Sequence, residues 1–220
     1  MKTDWIELGR RYPKAKQALT EIRDADARQF SAGGGYSDLF QEIANINQYL
    51  NDGAATVALF KTIESRDPQL ARQCYFYVQD QLVQQGEYDK CLHYLGEPQA
   101  AFERIRQSRE RLKQFEAQNA VRNEELRKRF QAMAQTNAQF ARIPLPLLPE
   151  PPKLADKTFV GQTRQLIEIL VGTNRKTDAE EIRDEALTIL DDPRLKSAVR
   201  DAVERIQKSS VPAGNQSANR

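Results

Sequence analysis

One histidine, two cysteines and a few neighbouring acidic pairs are the side chains of this 220-residue chain whose types could carry out chemistry. Imidazole catalysis would need a nucleophile and an orienting carboxylate beside His93. His93 instead stands in His93-Tyr94-Leu95, beside a turn, and a structural role is the reading those neighbours support. Asp191-Asp192 has no further ligand spacing for a metal, and an Asp before Pro193 suits a helix cap, as Asp67 does before Pro68. Asp24-Ala25-Asp26 lacks the continuation of a calcium loop. Gly33-Gly34-Gly35 lacks the spacing and following lysine of a phosphate cradle and reads as a flexible link between helices. Cys74 and Cys91 could form one bridge at most, which is no disulfide framework. They read as small apolar residues at helix interfaces. A non-enzyme with no metal and no cofactor is expected.

The remaining chemical signal is charge. The chain has 33 basic and 31 acidic residues, a net charge of +2, which steers it toward neither nucleic acid nor membrane. Residues 100–142 hold ten basic and five acidic residues, which leaves −3 for the remainder. Arg104, Arg106, Arg109, Arg111 and Lys113 could form a basic stripe for phosphate groups. Glu103, Glu110, Glu116, Glu124 and Glu125 are interleaved with it, often at i+3 or i+4, as in a self-paired solvated face. No apolar heptad persists long enough for a coiled coil.

The elements that carry these residues have a helical period. The chain is 40% hydrophobic and 29% charged, with a mean hydropathy of −0.70, and no run is long and apolar enough to span a membrane. Asp4 is placed to cap a first short helix to Arg11. Pro13 suits the first turn of the next, to about Gln29, with Ala15, Ala18, Leu19 and Ile22 as its apolar face. Leu39, Ile43, Ile46 and Leu50 share one face of a helix opened by Tyr36 or Ser37. After the turn Asn51-Asp52-Gly53, Val57, Leu59, Phe60 and Ile63 mark another. Asp67-Pro68 opens a helix to Gln85, Gly86 closes it, and Glu87–Leu95 is its partner.

From Gln99 to Ala141 there is neither Gly nor Pro, so one long helix is expected, with Asn119 or Asn123 as places where it could break. Five prolines then fall in residues 143–152, an extended polyproline segment. Its Pro146-Leu147-Leu148-Pro149 has the P-x-x-P form but reads as a linker. Asp156 is expected to cap the following helix, Asp178–Leu190 to form its antiparallel partner, and Asp191 or Asp192 to cap a last helix from Pro193. Met1-Lys2-Thr3-Asp4-Trp5 shows no apolar leader, which implies the cytoplasm by default. Export, or membership of a longer protein, stays open.

Helix, short turn and helix recur, with Gly53 and Gly86 33 residues apart and Ala58 and Cys91 33 apart. Trp5-Ile6-Glu7-Leu8-Gly9-Arg10-Arg11-Tyr12 has the form W-x2-L-G-x2-Y, although Pro13 cuts the helix that should follow. Gln69–Leu95 carries Tyr75, Val78 and Leu82, then Gly86-Glu87-Tyr88-Asp89-Lys90-Cys91-Leu92. Leu166, Leu170, Ala179, Ala186 and Pro193 follow the same scheme. On these residues about half the chain resembles the tetratricopeptide repeat family. Pro98 departs from the pattern.

The resemblance implies an all-α fold of stacked antiparallel helical hairpins, and the composition adds one long helix and a proline-rich extended strap that interrupt the array. The expected segments are tetratricopeptide-like repeats over 1–98, the long charged helix over 99–142, the strap over 143–155, a C-terminal helical repeat unit over 156–208 and a tail without structure over 209–220. The resemblance also implies a non-catalytic module for protein–protein interaction or scaffolding. Its groove positions fall on Gln73, Phe76, Asp80 and Gln84, with the core as the other reading of Phe76. The alternative is a nucleic acid or acidic partner held by the Arg-rich helix over 100–142.

Overall fold

The structure, a computed structural model, describes residues 13–136 and 153–210. Among them every regular element is helical, and no strand occurs. The motif Trp5–Tyr12, the prolines at 144–152 and the tail from 211 lie outside the described residues. The chain divides into two units, Met1–Tyr94 and Leu95–Arg220, so the long helix belongs with the C-terminal helices.

The first unit holds α1 (Pro13–Ser31), α2 (Ser37–Leu50), α3 (Gly53–Arg66), α4 (Pro68–Cys74), a 3-10 turn (Tyr75–Tyr77), α5 (Gln79–Gln84) and α6 (Tyr88–Leu95, whose last residue begins the second unit). Helix α2 packs on α1, α3 and α4, while α3 also packs on α4 and α5. An aromatic ladder runs through this core. Phe30 lies 5.7 Å from Phe40, Phe40 6.3 Å from Phe60, Phe60 5.4 Å from Tyr94, and Tyr94 stacks on Tyr75 at 4.9 Å. Each such pair adds about 0.5–1.5 kcal/mol beyond the burial of its rings. A polar bolt crosses the same helices. Arg23 Nη1 donates to Asn47 Oδ1 (2.8 Å) and Asp52 Oδ2 (3.0 Å), and the buried Asn47 donates to Thr56 Oγ1 (3.0 Å). Arg66 of α3 donates to the last carbonyls of α1, at Phe30 and Ser31.

The turns reuse one device. After α1, α2 and α5, a residue with positive φ, Gly33 (96°), Asn51 (56°) or Gly86 (74°), lets the following N–H reach back five residues. These bonds run from Gly34 to Gln29 (3.0 Å), Asp52 to Asn47 (2.8 Å) and Glu87 to Leu82 (2.9 Å). The left-handed residue between α2 and α3 is therefore Asn51, not Gly53. Gly53 begins α3 in helical conformation, and a Cβ there would come within 3.1 Å of Gln81 Cγ. Of the three glycines, Gly35 has a packing reason as well, because a Cβ there would overlap the buried Phe30 ring. Ile22 leaves the expected apolar face and is 48% exposed, and Phe30 is the core residue at the end of α1.

The expected helix from Pro68 to Gln85 is broken in the middle. Its cap is as expected, with Asp67 accepting from the Leu70 N–H (3.0 Å) and Pro68 in the first turn. At Tyr75 the chain tightens, and the Val78 N–H bonds the Tyr75 carbonyl (3.1 Å). Residues three apart eclipse in a 3-10 turn. Tyr75 and Val78 are thereby both buried, and the Tyr75 hydroxyl donates to the Cys91 carbonyl (3.2 Å).

The second unit holds α7 (Pro98–Thr136), α8 (Leu154–Gly172), α9 (Lys176–Ile189), α10 (Pro193–Lys196) and α11 (Ala198–Ser210). Helix α8 is the hub. It touches all four others and buries Phe159, Val160, Leu166, Ile167, Ile169 and Leu170. Helix α7 runs unbroken past Asn119 and Asn123 and is about 58 Å long at ~1.5 Å per residue. Asp156 is no cap, because α8 begins at Leu154 and Asp156 lies in its first turn. The capping acceptor comes from α7, where Glu116 Oε1 takes the Ala155 N–H at 2.8 Å. Asn174 (φ 59°) closes α8, with the Arg175 N–H on the Leu170 carbonyl at 2.8 Å. Asp192 caps α10 through the Arg194 N–H (2.8 Å), and the expected last helix pauses at Ser197 before resuming as α11. Helix α11 is tied to α8 by Arg164–Asp201 (3.3 Å) and by the ion pair of Arg205 with the buried Glu168.

Candidate functional site

The four groove positions lie on one broken rod, α4 to α5. Their spacing of three, four and four residues puts Gln73, Phe76, Asp80 and Gln84 on one side of it, and all four are exposed. Phe76 is 71% exposed, so the core reading of that residue does not hold. The 3-10 turn is the reason. With Tyr75 and Val78 drawn inward, Phe76 is left facing outward, its ring T-shaped to that of Tyr77 at 5.7 Å between centroids.

Helix α2 lies beside α4, and both pack on α3. The sides of α2 and of α4–α5 turned away from α3 therefore form one surface. Asp38, Asn45 and Gln48 are exposed on α2 at the same helical spacing. Sequence reasoning missed them. The recurrence of small polar residues opposite Ile43 and Ile46 was the available signal.

Behind this surface the reactive groups are sealed. Cys74 and Cys91 are free and fully buried. Burial pushes the Cys74 thiol up to about 12, with Asp67 adding to it. Burial pushes Cys91 up to about 11 against the opposing hydrogen bond of Tyr75. Burial also raises Tyr75, and it raises Tyr94 to about 12 with help from Glu64, which accepts the Tyr94 hydroxyl at 3.0 Å. Thiols held protonated are poor nucleophiles and poor metal ligands. His93 is exposed, edge-on to Tyr94 at 5.1 Å, and no nucleophile or carboxylate among the described residues hydrogen-bonds it. Among the described residues no cluster of metal-ligating side chains occurs. Asp192 is occupied as a cap and as the two-point partner of Arg194, whose hydrogen bonds hold its carboxyl below the usual range.

The basic stripe of α7 is largely consumed within its own unit. Arg104 donates to the Leu95 carbonyl (2.6 Å), and Arg106 pairs with Glu103 (3.1 Å) and Glu185 (3.3 Å). Arg109 leaves the stripe altogether. It is 6% exposed, lies 5.3 Å over the Phe159 ring, and pairs with Asp156 (2.8 Å) and Glu110 (3.2 Å). Arg111 and Lys113 stay exposed. An open cleft of about 420 Å³ between α7 and the end of α9 is lined by Arg106, Arg109 and Arg111, with Glu103 and Glu110 among them. Its charge is mixed.

Among the described residues no helix is long and apolar enough to cross a membrane. In comparisons with known proteins the chain matches no family model, no curated protein and no solved structure.

Proposed function

We propose that the chain is a non-catalytic, tetratricopeptide-like helical-repeat module that mediates protein–protein interaction or scaffolding. The first unit serves as the docking body, and the surface of α2 and α4–α5 takes an extended or helical peptide. The single observation that carries this reading is Phe76. Among the described residues its ring is 71% exposed, stands at the centre of a polar stripe beside a 3-10 turn, and meets the ring of Tyr77 at 5.7 Å. The sealed thiols and the solitary histidine speak against catalysis, and the internal pairing of Arg104, Arg106 and Arg109 speaks against a phosphate-binding stripe.

The test is capture of partners from the source cells on immobilised chain and on the F76A, D80A and Q84A variants. Proteins that are held by the parent chain and lost from the variants, at unchanged melting temperature, support the reading. A melting temperature several degrees lower with an unchanged set of captured proteins refutes it.

A further inference from the structure

We infer that the α4–α5 face docks onto the same face of a second copy of this chain. This rests on the reading of that face as a docking surface and names its occupant. The face carries both signs of charge around its aromatic ring. Arg72, Phe76 and Asp80 follow one another at intervals of four residues, about 6 Å each along the rod, and all three are exposed. Phe76, 71% exposed, is the middle of the row, with a cation one turn before it and a carboxylate one turn after. Gln73 and Gln84 stand exposed on the same side.

Such a row is complementary to itself read backwards. A two-fold axis through Phe76 sets its ring against that of the second copy and brings Arg72 of each copy to Asp80 of the other. The ion pair is then made twice, which is the pattern of an isologous interface. Rows of every fourth residue run alongside each other when two helices cross at about 50°, so the pairing needs no unusual geometry. In the parallel sense Arg72 would meet Arg72 and Asp80 would meet Asp80, and like charges would oppose the contact. Asp80 is already engaged. A carboxylate can accept from several donors, so the guanidinium of the second copy adds to that engagement and does not need Asp80 to be free. Two rings and two ion pairs make a small contact beside the roughly 800 Å² per partner of a stable complex, so the dimer is weak, with a Kd on the order of 10–100 µM.

The test is sedimentation velocity of the full chain from about 5 to about 500 µM. The parent chain should pass from monomer to dimer over this range, and F76A should weaken the dimer about tenfold. R72E and D80R each set like charges across the axis and should stay monomeric when alone. Mixed in equal amounts they should dimerise about as well as the parent, because opposite charges then meet at both ends of the row. D89K, at an exposed acid on α6, should change the dimer by less than about twofold.

A parent chain that stays monomeric throughout, an F76A dimer as strong as the parent's, single reversals that dimerise like the parent, or a mixture that stays monomeric would each overturn the inference. So would a melting temperature several degrees lower in R72E or D80R, because the reversed group would then be one that its own fold spends. If the parent is monomeric while capture of other proteins still depends on Phe76, the second copy is refuted and the docking reading stands. If neither depends on Phe76, both fall.

Discussion

Alkaline pH should unfold the first unit and spare the second. A thiol is neutral when protonated, and burial keeps the Cys74 and Cys91 thiols protonated up to about 12 and about 11. In the unfolded chain both ionise around 9.0, the ordinary value. Above that pH the unfolded state binds fewer protons than the folded one, so stability falls as pH rises. The stabilisation is complete below about pH 9 and is lost as pH climbs through the folded values. Each thiol contributes about 1.4 kcal/mol per pH unit at full slope, so the pair approaches about 3 kcal/mol per unit near pH 10. Tyr75 and Tyr94, raised by the same burial, add to the loss above pH 10. Residues 95–220 contain neither Cys nor Tyr, so the second unit has no such term. Urea unfolding at half-unit steps from about pH 8 to about pH 10.5, followed by tyrosine absorbance for the first unit and circular dichroism for both, measures the slope. The C74A/C91A variant should flatten it between about pH 9 and 10. A first-unit midpoint that stays level over this range, or thiols that react with a disulfide reagent at pH 8 as fast as free cysteine, would refute the account of the core.

Phe60 links the aromatic ladder at its middle, so F60A should cost about 3–5 kcal/mol in urea unfolding of the first unit. G35A should cost about 1–3 kcal/mol there, because the added methyl meets the Phe30 ring. In the second unit, R109A removes a cation from over Phe159 and a partner from Asp156 and should cost about 2–3 kcal/mol, less than a fully buried pair because Asp156 can return to water. E116A should cost about 1 kcal/mol and E116Q less, since the amide oxygen of Gln can still accept the Ala155 N–H. A mobility-shift assay with single- and double-stranded nucleic acid at about 50 mM salt should show no complex, and a complex whose affinity drops steeply with salt would restore the basic stripe of α7.

The parts of the fold that were legible in the sequence are those set by neighbours in the chain. Asp67-Pro68 and Asp192-Pro193 cap helices because a carboxylate two or three residues before an orphan N–H needs nothing else. Gly86 takes a positive φ because the helix before it must end. Glu116 escaped because the N–H it caps lies 39 residues away, and the nearby Asp156 offered a local alternative that is spent on Arg109 instead. Asn51 escaped for a related reason. Asn and Gly both tolerate the left-handed region, and the sequence Asn51-Asp52-Gly53 does not say which of them takes it.

The candidate site was half legible, and the missing half explains its form. Helical spacing alone groups Gln73, Phe76, Asp80 and Gln84, but it cannot decide whether a phenylalanine on that stripe faces core or water. The decision is made by Tyr75. Its ring finds Tyr94, and its hydroxyl finds the Cys91 carbonyl 16 residues on, so the backbone tightens to let Val78 follow it inward. Exposure of Phe76 is thus an output of the packing of α6, and the same logic applies in reverse to Arg109. Composition counts it with a solvated basic face, yet the Phe159 ring and the Asp156 carboxylate, 50 and 47 residues away, draw it into the core. A Y75A variant joins the two halves of the reasoning. With the inward anchor gone, the 3-10 turn loses its cause, and Phe76 should become less accessible while the first unit loses about 3–5 kcal/mol of stability. Docking would then fail in Y75A without any change to an exposed residue, whereas Y75F, which keeps the ring stack and loses one hydrogen bond, should cost about 1 kcal/mol and leave docking intact. Unchanged exposure of Phe76 in Y75A, read by the transfer of saturation from water to its ring protons, would show that the turn has another cause.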